Sequence, residues 1–114
     1  MKNYDVIYIG NYTRDTIISP AGTKYVDGGA VNYAAHAAAQ LGMKVAVVTR
    51  LAEEDKHVVE KFHQAGIDCY VTYTPQSTLM KLEYPTADPD IRNLSVTGAA
   101  GAITAGDVEN LQAK

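Results

Sequence analysis

The chain has 114 residues, of which 46% are hydrophobic and 20% charged, with a net charge of −3. These are ordinary globular values, so disorder is excluded. The ten basic residues are scattered, and no basic stripe could neutralise phosphates, which excludes a nucleic-acid partner. Cys69 is the single cysteine, so an intramolecular disulfide is impossible. Since no apolar run approaches the ~18 residues of a membrane span, we expect a cytoplasmic protein without a membrane partner.

The first part of the chain predicts short strands that lead to a pair of glycines. Residues 4–9 (YDVIYI) are rich in β-branched and aromatic side chains, which predicts a strand buried on both faces. Residues 15–19 (DTIIS) and 23–26 (TKYV) predict two more strands, separated by a proline and a glycine. Gly28 and Gly29 follow directly.

Helices and strands alternate through the middle of the chain. Residues 30–41 carry apolar side chains at helical spacing and precede a glycine, which predicts a helix. The apolar run 44–51 is typical of a parallel strand covered on both sides. A second helix is predicted over 55–65 and a further strand over 67–73. This alternation indicates an α/β fold.

The pattern changes after residue 73. Residues 78–84 and 92–97 predict two antiparallel strands joined by the loop PTADPDI. The tail from residue 101 predicts the start of a helix, with Thr104 and Asp107 as a capping pair. Because the alternating pattern stops within a predicted helix, we expect the chain to be a fragment of a longer domain.

Four polar or small residues lie where ligands bind in open α/β sheets, beyond the ends of strands. Asp15 follows the first strand, and its carboxylate can accept hydrogen bonds from two vicinal hydroxyls. Gly28 and Gly29 lack a Cβ, so a ligand can approach their backbone amides. Asn32, in the first helical turn, offers both a donor and an acceptor. Together these residues favour a polyhydroxylated small molecule over an apolar ligand.

The order of these motifs resembles the N-terminal part of the ribokinase-like (PfkB) carbohydrate kinase family. Gly10 is followed by Asp15, then by GGAVNYA from Gly28, and then by LGMKVAVVTRLAEED. The resemblance covers essentially the whole chain, as one N-terminal portion (residues 1–114) of a kinase domain. It implies a three-layer α/β/α fold with a small β lid, whose strands lie within 12–27 and 78–98.

The resemblance implies ATP-dependent phosphorylation of a hydroxymethyl group on a sugar or nucleoside, with ATP and Mg²⁺ used by the full-length protein. Asp15, Gly28, Gly29 and Asn32 match the positions that hold the sugar hydroxyls, and the lid strands often form a homodimer contact. The second family signature, which supplies the catalytic aspartate and the ATP site, is absent. We therefore expect no catalytic residue, bound cofactor or activity in this chain alone.

Alternative interpretations stay open. Asp15 fits a solvent-facing turn, Gly28 and Gly29 a tight turn, and Asn32 an ordinary first-turn residue. A non-catalytic sugar- or nucleoside-binding module that associates through its lid strands is the second hypothesis for the function. A dinucleotide-binding domain is disfavoured because GNYT after the first strand does not match G-x-G-x-x-G. The pattern does not identify the sugar or nucleoside.

Other candidate residues favour structural roles. The three histidines lack the spacing of metal ligands, so no metal site is expected. Cys69 reads as a strand thiol without a catalytic base. Arg50 and Lys81 are expected to be surface charges, although either could reach a phosphate. The Thr104–Asp107 segment contains a Gly-Asp pair like that of the missing signature, but capping is the expected role.

Overall fold

The computed structural model describes residues 2–114. Within these residues, two α-helices, nine strands and two short 3₁₀ turns follow one another. The helices are α1 (Ala30–Gln40) and α2 (His57–Gln64). The strands are β1 (Lys2–Tyr4), β2 (Val6–Ile9), β3 (Thr13–Ser19), β4 (Gly22–Gly28), β5 (Val45–Leu51), β6 (Asp68–Tyr73), β7 (Thr78–Glu83), β8 (Asn93–Gly98) and β9 (Leu111–Ala113). The 3₁₀ turns are Glu53–Asp55 and Ala105–Val108.

The main sheet is parallel and has the strand order β2-β5-β6. Val45, Val47 and Leu51 alternate onto one face of β5, where buried side chains of both helices join them in the hydrophobic core. Phe62 of α2 is fully buried there, and its ring stacks on His36 of α1 with 5.1 Å between centroids. The predicted α/β class is confirmed, and the central strand is buried as its continuous apolar run predicted.

A second, four-stranded sheet has the order β4-β3-β7-β8, and we call it the outer sheet. β3 pairs with β4 as an antiparallel hairpin and with β7 in parallel, and β8 returns antiparallel to β7. These are the segments for which the sequence predicts short strands, and the antiparallel pairing across the PTADPDI loop is confirmed. The chain therefore leaves the main sheet after β2, builds the hairpin, and re-enters the main layer at α1.

The tail differs from its predicted helix. Ala105–Val108 is a single 3₁₀ turn, and Asn110 then adopts a left-handed conformation with φ of 64°. The chain continues as β9, which pairs in parallel with β1 at the other end of the sequence. The predicted capping pair is confirmed, since the Asp107 carboxylate accepts a hydrogen bond from the Thr104 amide at 3.2 Å.

The first predicted strand is also partly wrong. A bend at Asp5 divides it into β1 and β2. Tyr4 is buried, but the side chains of β2 are only half-buried, and Ile9 is 56% exposed.

No helix of residues 2–114 is both long enough and apolar enough to cross a bilayer.

The core position of Phe62 gives a direct test of the fold. Phe62→Ala removes a fully buried ring, so we expect it to lower the free energy of unfolding by about 3–5 kcal/mol. Urea unfolding followed by circular dichroism measures this loss. Leu41→Ala is the control, because Leu41 is 81% exposed and its truncation should change stability by less than about 0.5 kcal/mol. Equal losses for the two variants would contradict this packing.

Candidate functional site

Asp15 and Gly28 lie side by side where the β3–β4 hairpin joins the main layer. In the hairpin, Thr13 is opposite Gly28 and Asp15 is opposite Val26, so all four share one face of the outer sheet. A Cβ placed on Gly28 would lie 2.2 Å from Oδ2 of Asp15 and 2.8 Å from Oγ1 of Thr13. The carboxylate therefore rests directly on bare backbone, and no larger residue fits at position 28 without a shift of Asp15.

The second oxygen of this carboxylate lacks a partner. Among the side-chain atoms of the described residues, Oδ1 of Asp15 is buried from solvent and receives no hydrogen bond. A buried acceptor left without a donor costs about 1–3 kcal/mol, so native proteins rarely keep one without a reason. A ligand hydroxyl is a donor of the kind that this oxygen lacks.

Gly29 caps the N-terminus of α1 with its backbone alone. Its φ of 96° lies in the left-handed region that favours glycine. A Cβ at this position would approach the carbonyl oxygen of Asn11 to 2.9 Å. Both glycines are therefore required by close contact with residues 11–15, which agrees with the tight-turn interpretation.

Asn32 occupies the first turn of α1, as predicted. Its Nδ2 donates to the carbonyl oxygen of Asp27 at 3.4 Å. It lines an open cavity of about 640 Å³ together with Val26, Asp27 and Lys61, among other residues. Val26 joins the two groups, because it lines this cavity and is the cross-strand neighbour of Asp15. The structure thus brings Asp15, Gly28 and Gly29 into one junction and places Asn32 beside it.

Asp27, which precedes the glycine pair, is a further residue of this junction that was not predicted from the sequence. Its carboxylate accepts a hydrogen bond from the Tyr12 hydroxyl at 2.6 Å. It also contacts Nε2 of His57 at 3.0 Å and Nζ of Lys61 at 3.6 Å. The signal that could have identified the site is the i, i+4 spacing of His57 and Lys61, which puts both cations on one face of α2.

These contacts shift two pKa values at Asp27 and Tyr12. Partial burial opposes ionisation of Asp27, but the hydrogen bonds from Tyr12 and His57 and the nearby charges of His57 and Lys61 hold its pKa below the usual value. Burial, and then the hydrogen bond to Asp27, raise the pKa of Tyr12 far above its usual range. Asp27 is therefore a carboxylate and Tyr12 a neutral donor at neutral pH.

Arg50 is not the surface charge that we expected. Its side chain is only 19% exposed and donates two hydrogen bonds to the Asp107 carboxylate, at 2.8 and 3.1 Å. This pairing, helped by the Thr104 amide, holds the pKa of Asp107 below its usual range. Lys81 is half-exposed and pairs with Glu83 at 2.9 Å. Both cations are therefore occupied by acidic partners, and neither fits the role of a phosphate ligand.

Cys69 fits its predicted structural role. Burial alone raises the pKa of the thiol to about 12, so it stays protonated at neutral pH and is a poor nucleophile. A cluster of Tyr4, Asp68 and Tyr70 connects β1 to β6. The hydroxyl groups of Tyr4 and Tyr70 share a hydrogen bond, and the Tyr4 hydroxyl also donates to Asp68 at 2.7 Å.

Comparison with known proteins identifies the fold. No family model matches the sequence, and no curated protein matches it. A pyrophosphate-dependent kinase of the ribokinase family, in a sulfate complex, superposes with a TM-score of 0.80 and 25% identity over 91% of this chain. A pyrophosphate-dependent kinase of the same family, bound to a pyrophosphate analogue and myo-inositol, has a TM-score of 0.79 and 20% sequence identity over 94% of this chain. Fructokinase with bound ATP from Xylella fastidiosa has a TM-score of 0.68 and 21% sequence identity over 83% of this chain.

The chain spans less than two-fifths of the length of these structures, with coverage of 37%, 38% and 34% respectively. The chain therefore has the ribokinase-like fold, and the resemblance to the ribokinase-like (PfkB) kinases that its sequence carries is confirmed.

Proposed function

We propose that this chain supplies the substrate-binding part of a kinase that phosphorylates a hydroxyl group of a sugar, a nucleoside or a related polyol. The observation that carries the proposal is the buried, partnerless Oδ1 of Asp15 beside the bare backbone of Gly28. Two substrate hydroxyls would donate to the Asp15 carboxylate. Asn32 would bind a third hydroxyl from the adjacent cavity.

The outer sheet would serve as the lid over this substrate. Asp15 lies on a strand of that sheet, whereas Gly29 and Asn32 belong to the start of α1, so a bound polyol would contact both parts. Closing the sheet on the substrate would exclude water and orient the attacking hydroxyl. Phosphoryl transfer gains most from such positioning and from charge stabilisation.

The phosphoryl donor would bind elsewhere. ATP with Mg²⁺ is the donor that the family resemblance implies, and when bound it supplies the transferred phosphoryl group. The cations considered for a phosphate role, Arg50 and Lys81, are paired with acidic side chains and do not fit a donor site. Because two of the similar structures are of pyrophosphate-dependent kinases, an assay of activity should offer both ATP and pyrophosphate.

Substitution of Asp15 tests the proposed site. Asp15→Ala should weaken binding of myo-inositol, fructose, ribose or adenosine, whichever binds the unchanged protein, about ten- to a hundredfold, since it removes a charged hydrogen-bond acceptor. Stability should stay constant or rise, because a buried acceptor without a partner is removed. Isothermal titration calorimetry and thermal unfolding measure the two effects.

Asp90→Asn is the matched control, since Asp90 lies in the exposed loop between β7 and β8. It should leave both affinity and stability unchanged. If Asp15→Ala lowers stability by more than 1 kcal/mol while affinity is retained, Asp15 has a purely structural role and the site is assigned wrongly.

Gly28 provides an independent test of the same pocket. Gly28→Ala forces a Cβ against the Asp15 carboxylate, so we expect about 1–3 kcal/mol of destabilisation together with weaker polyol binding. Gly106→Ala is the control, because the nearest atom to its added Cβ is 3.7 Å away. Equal behaviour of the two variants in unfolding and titration would rule out the close contact.

A second candidate function is association of two copies through the outer sheet. β8 is an edge strand, and its alternate residues Leu94 and Val96 are 59% and 62% exposed. An exposed apolar edge strand favours pairing with another chain. Such pairing is compatible with the kinase proposal, and it would also suit a non-catalytic binding module.

A substitution on β8 tests whether this edge strand mediates association. If the edge mediates association, Val96→Lys should convert a dimer to a monomer in analytical ultracentrifugation, because it places a charge in the contact. Lys81→Arg, on the neighbouring strand β7, should leave the oligomeric state unchanged. A wild-type protein that stays monomeric at millimolar concentration would overturn the association proposal without affecting the polyol site.

A further inference from the structure

We propose that Asp27 is a positioning residue that holds the base of the outer sheet against the main layer, and that His57 makes this hold dependent on pH. The proposal extends the proposed function, because the residues held in place are those of the proposed polyol site. Its geometry, however, is independent of any ligand.

Asp27 joins segments that are otherwise separate at this point. Its carboxylate receives the Tyr12 hydroxyl from the chain entering the outer sheet, while Asp27 itself lies on the strand that leaves it. The contacts at 3.0 Å to His57 and 3.6 Å to Lys61 reach α2 of the main layer. One side chain therefore ties the entrance and the exit of the hairpin to a helix of the rigid core.

The backbone of the same residue orients the start of α1. The Asp27 carbonyl oxygen accepts hydrogen bonds from Nδ2 of Asn32 at 3.4 Å and from the Tyr33 hydroxyl at 3.3 Å. Gly28 follows Asp27 immediately and carries the Asp15 carboxylate on its open face. A movement of Asp27 would therefore shift Asn32 and Gly28 together, and with them the proposed polyol site.

The charges around Asp27 determine the expected pH dependence. The ionisable groups that face it come from the hairpin, from α1 and from α2. They are Tyr12, Arg14, Tyr25, Tyr33, His36, His57 and Lys61. Arg14 is the cross-strand neighbour of Asp27, but its guanidinium group contacts Asp55 at 3.3 Å and Glu54 at 3.7 Å. The imidazole of His57 lies within hydrogen-bond distance of the Asp27 carboxylate, at 3.0 Å.

The direction of the pH effect depends on the charges of Asp27 and His57. The pKa of Asp27 lies below its usual value, so the carboxylate stays ionised from neutral pH down to the acid range. Histidine side chains change charge between about pH 5 and 8. At the 3.0 Å separation of His57 Nε2 and Asp27 Oδ2, a charged imidazole would form an ion pair, which is stronger than the hydrogen bond of a neutral one. We expect a firmer hold at pH 5.5 than at pH 8.

Amide hydrogen exchange by NMR on this chain tests the inference without a ligand. Protection factors for the amides of residues 26–32, corrected for intrinsic exchange, should be about two- to fivefold higher at pH 5.5 than at pH 8, as expected for a half-exposed ion pair. His57→Gln keeps a hydrogen-bond donor but cannot gain a charge, so its protection should be independent of pH. Asp27→Asn should show the same flat profile with lower protection throughout.

His63→Gln is the matched control, because His63 is exposed on the same helix and should leave the wild-type profile unchanged. If His57→Gln keeps the full pH dependence, or the wild type shows none, the inference is wrong. Should Asp27→Asn fail to fold, the exposed His57 variant still decides the question. Because the readout needs no polyol, a failure of the proposed polyol site would appear separately, as absent binding with the exchange profile intact.

Discussion

The backbone of Gly28 and Gly29 packs against residues 11–15, and the position of the outer sheet relative to the main sheet depends on this contact. The chain leaves the main sheet after β2 and returns at α1, so the entering and leaving segments must cross at close range. Cβ atoms at the two glycines would come within 3 Å of atoms in Asn11, Thr13 and Asp15. Only residues without a side chain permit this approach.

Ionic contacts on the opposite face of the hairpin secure this junction. Asp55 is 2% exposed, and its carboxylate receives hydrogen bonds from Arg14 of β3 and from the Ser77 hydroxyl just before β7. Ser77 in turn accepts the Ala52 amide at 2.9 Å. A buried carboxylate is stabilising only while its partners are present, because removal of one leaves an uncompensated charge. Asp55 thus couples two strands of the outer sheet to the start of α2.

The elements that sequence periodicity predicts correctly are those whose pattern reflects their own burial. The apolar run of β5 and the apolar face of α2 indicate directly which of their residues are buried, and both elements lie where predicted. The tail was predicted as a helix because Thr104 and Asp107 form a genuine cap. The end of the tail instead forms the strand β9, because β1, at the other end of the chain, offers an edge with which it pairs. Local propensity contains no information about such a long-range pairing.

In the candidate site too, local sequence predicts some residues, whereas others are brought together only by long-range packing. Asp15, Gly28 and Gly29 could be placed together from their motif because the hairpin fixes their register. Asp27 was not predicted, since an acidic residue before two glycines is an ordinary turn composition. Its partners Tyr12, His57 and Lys61 become neighbours only through the packing of α2 against the hairpin. Arg50 was misjudged for a similar reason, because Asp107 is remote in sequence.

Two carboxylates on opposite faces of one hairpin give the strongest physical reason to regard this junction as a binding site. Arg14 is directly opposite Asp27, so Asp15, the next residue along β3, points to the other face. Asp27 is surrounded by donors and has a lowered pKa, as expected for a carboxylate whose role is to hold the fold. Asp15 keeps a buried oxygen without any donor. A hydroxyl-bearing ligand would give the Asp15 oxygen the donor that Asp27 already has.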